Sequence, residues 1–155
     1  MKEVLSVGFI WIHLLATVVW LGGMAFILLV AIPSARRAVG EDAAKVMGEV
    51  TRRFTPLANG SILLLLLSGL ALLAMTGSFS EPVLLSGRGT AIVFKLLLFL
   101  LMAAVHFYRG KVLAPRIART PPEQGKASLQ KLSLNLVKVN LLAGLAVLLF
   151  SAVAG

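Results

Sequence analysis

The hydrophobic positions of this chain are gathered into four long runs, and the stretches between the runs are polar or rich in glycine. The runs cover about residues 4–32, 56–75, 90–108 and 132–153. Each is close to, or longer than, the ~20 apolar residues that a helix needs to cross a bilayer. The pattern therefore predicts an all-α protein, an integral membrane four-helix bundle that forms a single domain over residues 1–155.

Two of the three stretches between the runs are strongly basic. Residues 33–55 and 109–131 carry most of the Lys and Arg, whereas the loop 76–89 has only Glu81 and Arg88 as charged residues. Short loops rich in Lys and Arg stay in the cytoplasm, so we expect both termini to lie outside it. Apolar spacing within 33–55 also predicts a helix, which either lies on the membrane surface or extends the next helix into the cytoplasm.

Composition agrees with a membrane protein. Of the 155 residues, 59% are hydrophobic and 14% are charged, and the mean hydropathy is +0.96. The net charge of +9 does not indicate a nucleic-acid partner, because the basic residues cluster between the apolar runs. Cysteine is absent, which excludes disulfides, zinc–thiolate sites and iron–sulfur clusters. The first run far exceeds the apolar core of a signal peptide, so we predict a retained helix in a plasma or inner membrane of prokaryotic type.

The first run contains the polar side chain on which the functional hypothesis depends. His13 lies within it, and an ionisable residue at membrane depth is a functional candidate. Trp20 follows after two helical turns and shares its face, and Gly23 falls close to that face and allows a helix or a flat cofactor to approach. Neutral imidazole binds haem iron, copper and zinc. A hydrogen bond to another helix is the alternative role for His13, and packing is the alternative for Trp20.

The third run contains Lys95 and His106, which are three helical turns apart and share a face. Lys95 either extends to water or pairs with a haem propionate or an anionic substrate. From the outer ends of their helices, His13 lies roughly 15 Å deep, Lys95 roughly 10 Å and His106 roughly 27 Å. If both histidines bind one haem, the helices have to tilt to bring them to the same depth. Two separate haem sites, or sites completed by a partner chain, fit these depths more easily. The small size of the chain and this mismatch together favour a homodimer. In the fourth run, Asn140 is expected to form an interhelical hydrogen bond.

Short motifs on the first three runs resemble the copper resistance protein D (CopD) family. They are His13-x6-Trp20-x-Gly22-Gly23 in the first run, Arg52-Arg53-Phe54 before the second run, and Ser68-Gly69 within it. The spacing of His13 and Trp20, and that of Lys95 and His106, also resembles the HemJ-type protoporphyrinogen oxidases. Asn140 stands about where the CopD pattern tends to carry an acidic residue.

The resemblance implies a membrane protein that binds haem b through His13 and His106, with Lys95 as a polar partner. HemJ-like activity would oxidise protoporphyrinogen IX and pass the electrons to a membrane acceptor such as a quinone. The candidate cofactor-binding residues are His13, His106, Lys95, Trp20, Gly23 and Asn140, and the two histidines are the candidate metal ligands.

Three hypotheses about function follow. The leading hypothesis is a haem b protein for electron transfer, embedded in membrane lipid as a homodimer and possessing oxidoreductase activity. The second is a copper transport or copper-resistance component, which the absence of cysteine and the scattered methionines make less favourable, because Cu(I) prefers soft sulfur ligands. The third is a structural subunit without a cofactor. No constellation of side chains indicates a hydrolase or assigns catalytic residues.

Overall fold

The computed structural model of the protein describes residues 2–76 and 87–153, and every regular element in these two ranges is helical. The prediction of an all-α protein is confirmed. Three helical stretches are long and apolar enough to cross a membrane, namely Lys2–Met75, Gly89–Arg119 and Lys126–Ala152. The first stretch contains two of the four predicted runs, and the four-helix bundle stays a prediction. Residues 77–86, which form most of the predicted outer loop, lie outside the described ranges.

The chain divides into two compact units, residues 1–89 and residues 90–155. The helices of the first unit are α1 (Lys2–Thr17), α2 (Gly23–Phe26), α3 (Ile32–Val39) and α4 (Ala43–Met75). The wider π-helical turns Val18–Gly22 and Ile27–Ala31 join the first three helices without a break. A 3₁₀ turn, Gly40–Asp42, then reverses the chain, and Gly40 adopts a φ of 52° that an L side chain rarely tolerates. Helix α1 consequently packs along α4.

Two prolines lie at places where the sequence predicted helix ends. Pro33 lies in the first turn of α3, directly after the π-helical turn Ile27–Ala31, and the helical path continues across it to Val39. Pro56 lies inside α4, which begins at Ala43 rather than near Pro56. Residues 43–55 therefore extend the next helix, which is one of the two alternatives that the apolar spacing predicted. The proline interrupts one backbone hydrogen bond, and the long helix persists across it.

The first unit buries a narrow stripe of side chains and exposes the rest of its apolar surface. The buried members are Ala16, Trp20, Leu21, Met24, Ala58, Ser61, Ile62, Leu65 and Ser68. Large apolar residues on the other faces, such as Val18 and Leu29, are about 70% exposed. Small residues between helices and an apolar outer surface are typical of helices packed in lipid. The protein is therefore integral to the membrane.

The second unit consists of α5 (Gly87–Tyr108, which begins in the first unit), α6 (Ala114–Arg119) and α7 (Lys126–Val153). A π-helical turn, Arg109–Leu113, joins α5 to α6, and a 3₁₀ turn, Pro122–Gln124, precedes α7. Two contacts show that α5 and α7 run antiparallel. Asn140 contacts the carbonyl of Met102, and the ring of Phe150 lies 5.1 Å from that of Phe94.

Candidate metal-binding site

His13 of α1 meets α4 at Ser68. The Nδ1 atom of the imidazole lies 2.8 Å from the Ser68 hydroxyl oxygen. That hydroxyl donates its hydrogen to the carbonyl of Leu64, one turn earlier on α4. Because a serine hydroxyl has a single hydrogen, its oxygen accepts the hydrogen bond from His13. The proton of the neutral imidazole is therefore on Nδ1, and the lone pair of Nε2 is available to bind a metal ion.

The backbone of α4 approaches the imidazole closely beside this hydrogen bond. Ser68 is buried, at 1% exposure, and His13 is half-buried. A Cβ placed on Gly69 would lie 3.4 Å from Cε1 of His13. Ser68 thus orients the ring and Gly69 leaves room for it. The sequence singled out the Ser68-Gly69 pair for its resemblance to a family motif, but it gave no sign that the pair contacts His13.

Gly23 of α2 forms a second close contact with α4. The ring of Phe54 lies against the Gly23 backbone, in the space that a Cβ would occupy. Trp20, three residues before Gly23, is buried at 1% exposure. The gap predicted beside Gly23 is therefore filled by Phe54 of the Arg52-Arg53-Phe54 motif. Two motifs that were separate in the sequence meet at this contact, as His13 and Ser68-Gly69 do.

His106 lies in the last turn of α5, in the second unit. It is buried, at 8% exposure, and its ring contacts that of Phe107 edge to face at 5.4 Å. One turn earlier, the carbonyl of Met102 accepts a hydrogen bond of 3.1 Å from the Asn140 side-chain amide. The predicted interhelical hydrogen bond of Asn140 is confirmed. It positions the turn of α5 that precedes His106.

Lys95 and Arg109 are the half-buried cations of α5 and of the turn that follows it. Neither side chain forms a hydrogen bond or an ion pair with any residue in 2–76 or 87–153. Arg109 lies three residues after His106 on a continuous helical path, about one turn away, so its positive charge lies on the same side of the helix as the imidazole. This cation opposes the binding of a metal ion at His106. Within residues 2–76, no such cation is placed beside His13.

No group of three or more His, Cys, Asp or Glu side chains within 2–76 and 87–153 is placed to hold a metal ion. A metal ion at His13 therefore has to complete its coordination with thioether sulfur, backbone oxygen, water or a ligand from another molecule. One well-oriented imidazole fits a metal that passes through the site or a haem that brings four nitrogens of its own.

Comparison with known proteins gives one family match. The model of the family described as Copper resistance protein D matches residues 48–154, which is more than half of the chain. The matched range includes Phe54, Ser68-Gly69, His106 and Asn140, and it does not include His13. No curated protein and no solved structure matches the chain.

Proposed function

The chain belongs to the copper resistance protein D family, and from this premise we propose that it is a membrane protein that handles copper, with His13 as its metal-binding residue. The family membership and the helices long enough to cross a membrane support a role in the bilayer. The single observation that carries the assignment to His13 is the hydrogen bond between its Nδ1 atom and Ser68.

That hydrogen bond has the form found behind many metal-binding histidines. The ring nitrogen that does not bind the metal donates to an oxygen, which fixes both the tautomer and the orientation of the ring. In this protein the oxygen is that of Ser68, whose own hydrogen is held by Leu64. The same hydrogen bond is also the interhelical contact that the sequence offered as the alternative role of His13, and metal binding at Nε2 is what distinguishes the two roles.

The surroundings of His13 suit a monovalent soft cation. Its partners on α1 and α4 are the neutral groups of Thr17 and Ser68, and Thr17 donates to the His13 carbonyl rather than to the ring. Imidazole and thioether are the ligand types left for Cu(I) in a chain without cysteine. A single imidazole roughly 15 Å inside the membrane is a suitable intermediate binding point for an ion that crosses it.

The test is the copper content of the purified protein after incubation with Cu(I) under reducing conditions and removal of excess metal. We expect about one copper per chain in the natural protein and little in His13→Ala. The matched control is His106→Ala, which removes the other imidazole and is expected to retain copper. Equal copper in all three proteins, or equal loss in both variants, would contradict the proposal.

Haem b binding is the second candidate function. The same Ser68 hydrogen bond leaves Nε2 of His13 unprotonated, so His13 would hold the haem through that atom, and the resemblance to HemJ-type oxidases favours that chemistry. Under this candidate the protein is a homodimer that passes electrons from a porphyrinogen or another lipid-soluble reductant to a quinone. Sharp α and β absorption bands after reduction, with stoichiometric iron, would establish haem binding in place of the copper proposal. A protein that stays colourless after haem is supplied would contradict haem binding.

A further inference from the structure

The two units differ sharply in how their charges are balanced. Residues 1–89 contain seven Lys or Arg and five Asp or Glu, whereas residues 90–155 contain eight Lys or Arg and one acidic residue, Glu123. In the first unit, Glu49 pairs with Arg52 and Arg53, and Asp42 pairs with Lys45. No Lys or Arg in the described part of the second unit forms a salt bridge.

Most cations of the second unit lie at one end of it. We call them the basic end; its members are Arg109, Lys111, Arg116, Arg119, Lys126 and Lys131. The turn Arg109–Leu113 and helix α6 both pack against α7. The contact between Asn140 and Met102 sets the antiparallel register of α7 against α5. Lys111 lies nine residues after Met102, and Lys131 lies nine residues before Asn140. The two lysines therefore come about level with each other. The fold therefore gathers cations that are up to 22 positions apart in sequence.

Arg109 differs from most members of the basic end. It is half-buried at the end of the apolar stretch, and Lys126 is half-buried at the start of α7, whereas Lys111, Arg116, Arg119 and Lys131 are exposed to solvent. Burial of a guanidinium is costly unless an anion with suitable oxygens compensates its charge. No carboxylate in the described part of the protein does so. The planar fork of arginine matches a phosphate group, which it binds through two parallel hydrogen bonds.

We propose that the basic end binds the headgroup of an anionic phospholipid, with Arg109 holding the phosphate and the surrounding exposed cations attracting it. Arg109 directly follows the apolar helix α5 and is the first member of the basic end, so we expect it near the boundary of the bilayer, where lipid phosphates lie. A cluster of four to eight Lys and Arg beside a membrane helix is the pattern that binds acidic headgroups. The proposal is independent of whether His13 binds copper or haem.

The test measures binding of short-chain phosphatidylglycerol and phosphatidylcholine to the full-length protein in a neutral detergent, by native mass spectrometry or calorimetry. We expect phosphatidylglycerol to bind at least about tenfold more tightly, and binding to weaken as salt is raised. Arg109→Gln is expected to remove most of this preference. Arg109→Lys is expected to restore only part of it, because lysine keeps the charge but loses the fork.

The matched control is Arg37→Gln, which removes the same charge from an exposed position of the first unit. It is expected to change lipid affinity less than twofold. Helix content and elution volume check that each variant is folded, and Arg109→Lys keeps the proposal testable if Arg109→Gln fails to fold. Equal affinity for both lipids, or equal effects of Arg37→Gln and Arg109→Gln, would overturn the proposal. Displacement of the lipid by millimolar inorganic phosphate would assign the site to free phosphate and also overturn it.

Discussion

His13 and His106 are the two histidines of the chain, and their surroundings differ in charge. His13 donates a hydrogen bond to a buried hydroxyl, lies beside Gly69, and has no cation next to it in the described part of the first unit. His106 is more deeply buried, contacts an aromatic ring, and lies one turn before a half-buried guanidinium. This difference in charge is the reason why the proposed copper site uses His13 and not His106.

The largest expected effect tests the role of Ser68. Ser68→Ala leaves the Nδ1–H group of His13 without its acceptor, so the ring loses both its fixed tautomer and its orientation. We expect copper affinity to fall by about 10–100-fold, as measured by competition with a Cu(I) chelator. The matched control is Ser61→Ala, which removes another buried hydroxyl of α4 that bonds only to the Leu57 carbonyl. Equal affinity in the natural protein and Ser68→Ala would show that the hydrogen bond does not prepare a ligand.

The next effect tests the packing between α4 and the first three helices. A methyl group on Gly23 would overlap the ring of Phe54, so we expect Gly23→Ala to lower the free energy of unfolding by about 1–3 kcal/mol. Gly22 has open space around its Cβ position, and Gly22→Ala is expected to be neutral or stabilising by up to about 1 kcal/mol. Thermal unfolding in detergent measures both. If the adjacent glycines respond alike, the Gly23–Phe54 contact does not limit the approach of the helices.

A smaller effect is expected in the second unit. Asn140→Leu removes the hydrogen bond to the Met102 carbonyl, and interhelical hydrogen bonds in membrane proteins contribute about 0.6–2 kcal/mol. We expect a loss of about 1 kcal/mol by the same unfolding measurement. Asn135→Leu is the control, because Asn135 is exposed on the same helix and makes no such contact. A larger loss for Asn135→Leu would contradict the antiparallel register derived from Asn140.

The smallest effect concerns the paired charges of the first unit. Hydrogen bonds from Arg52 and Arg53 lower the pKa of Glu49 from 4.5 to about 2. Because the pKa is lower in the folded protein, the pair stabilises the helix above about pH 4.5, and this contribution is lost as the pH falls towards 2. The two arginine side chains are largely exposed to water and that of Glu49 is 45% exposed, so the gain is slight.

Circular dichroism between pH 6 and pH 2 measures this contribution as a difference in helix content between the natural protein and Glu49→Gln. The difference is expected to disappear at the acidic end. Glu41→Gln, which removes an exposed carboxylate without an ion pair, is expected to follow the natural protein throughout. A difference that grows on acidification would reverse the assigned direction of the Glu49 pKa.

The sequence predicted the apolar helices well, because their signal is local. Runs of apolar residues near 20 in length identify membrane helices without knowledge of their partners. Helix ends were less predictable. Pro33 and Pro56 both indicated boundaries, yet the helical path crosses each of them, since neighbouring turns can compensate for one missing N–H. The π-helical turns in the first unit have no counterpart in the pattern of hydrophobic positions.

For contacts between helices, the sequence indicated which residues take part but not which partners they contact. An imidazole in an apolar run indicates a partner, but the choice of Ser68, 55 residues away, depends on the register of α1 against α4. The sequence indicated that another helix can approach closely at Gly23. That the ring of Phe54 occupies this space again depends on how the helices are aligned along their axes. Asn140 was expected to bond across helices, and its acceptor, a backbone carbonyl, carries no signature in the sequence.

The hydroxyl of Ser68 also determines how protons can move near His13. A proton wire needs groups that can both receive and release a proton in turn. Here the chain of hydrogen bonds runs from the imidazole through Ser68 to the amide carbonyl of Leu64, which has no proton to pass on. The wire therefore ends within α4. Because Nδ1 already carries its proton, a further proton and a metal ion can bind only at Nε2, so the two compete for the same side of the ring.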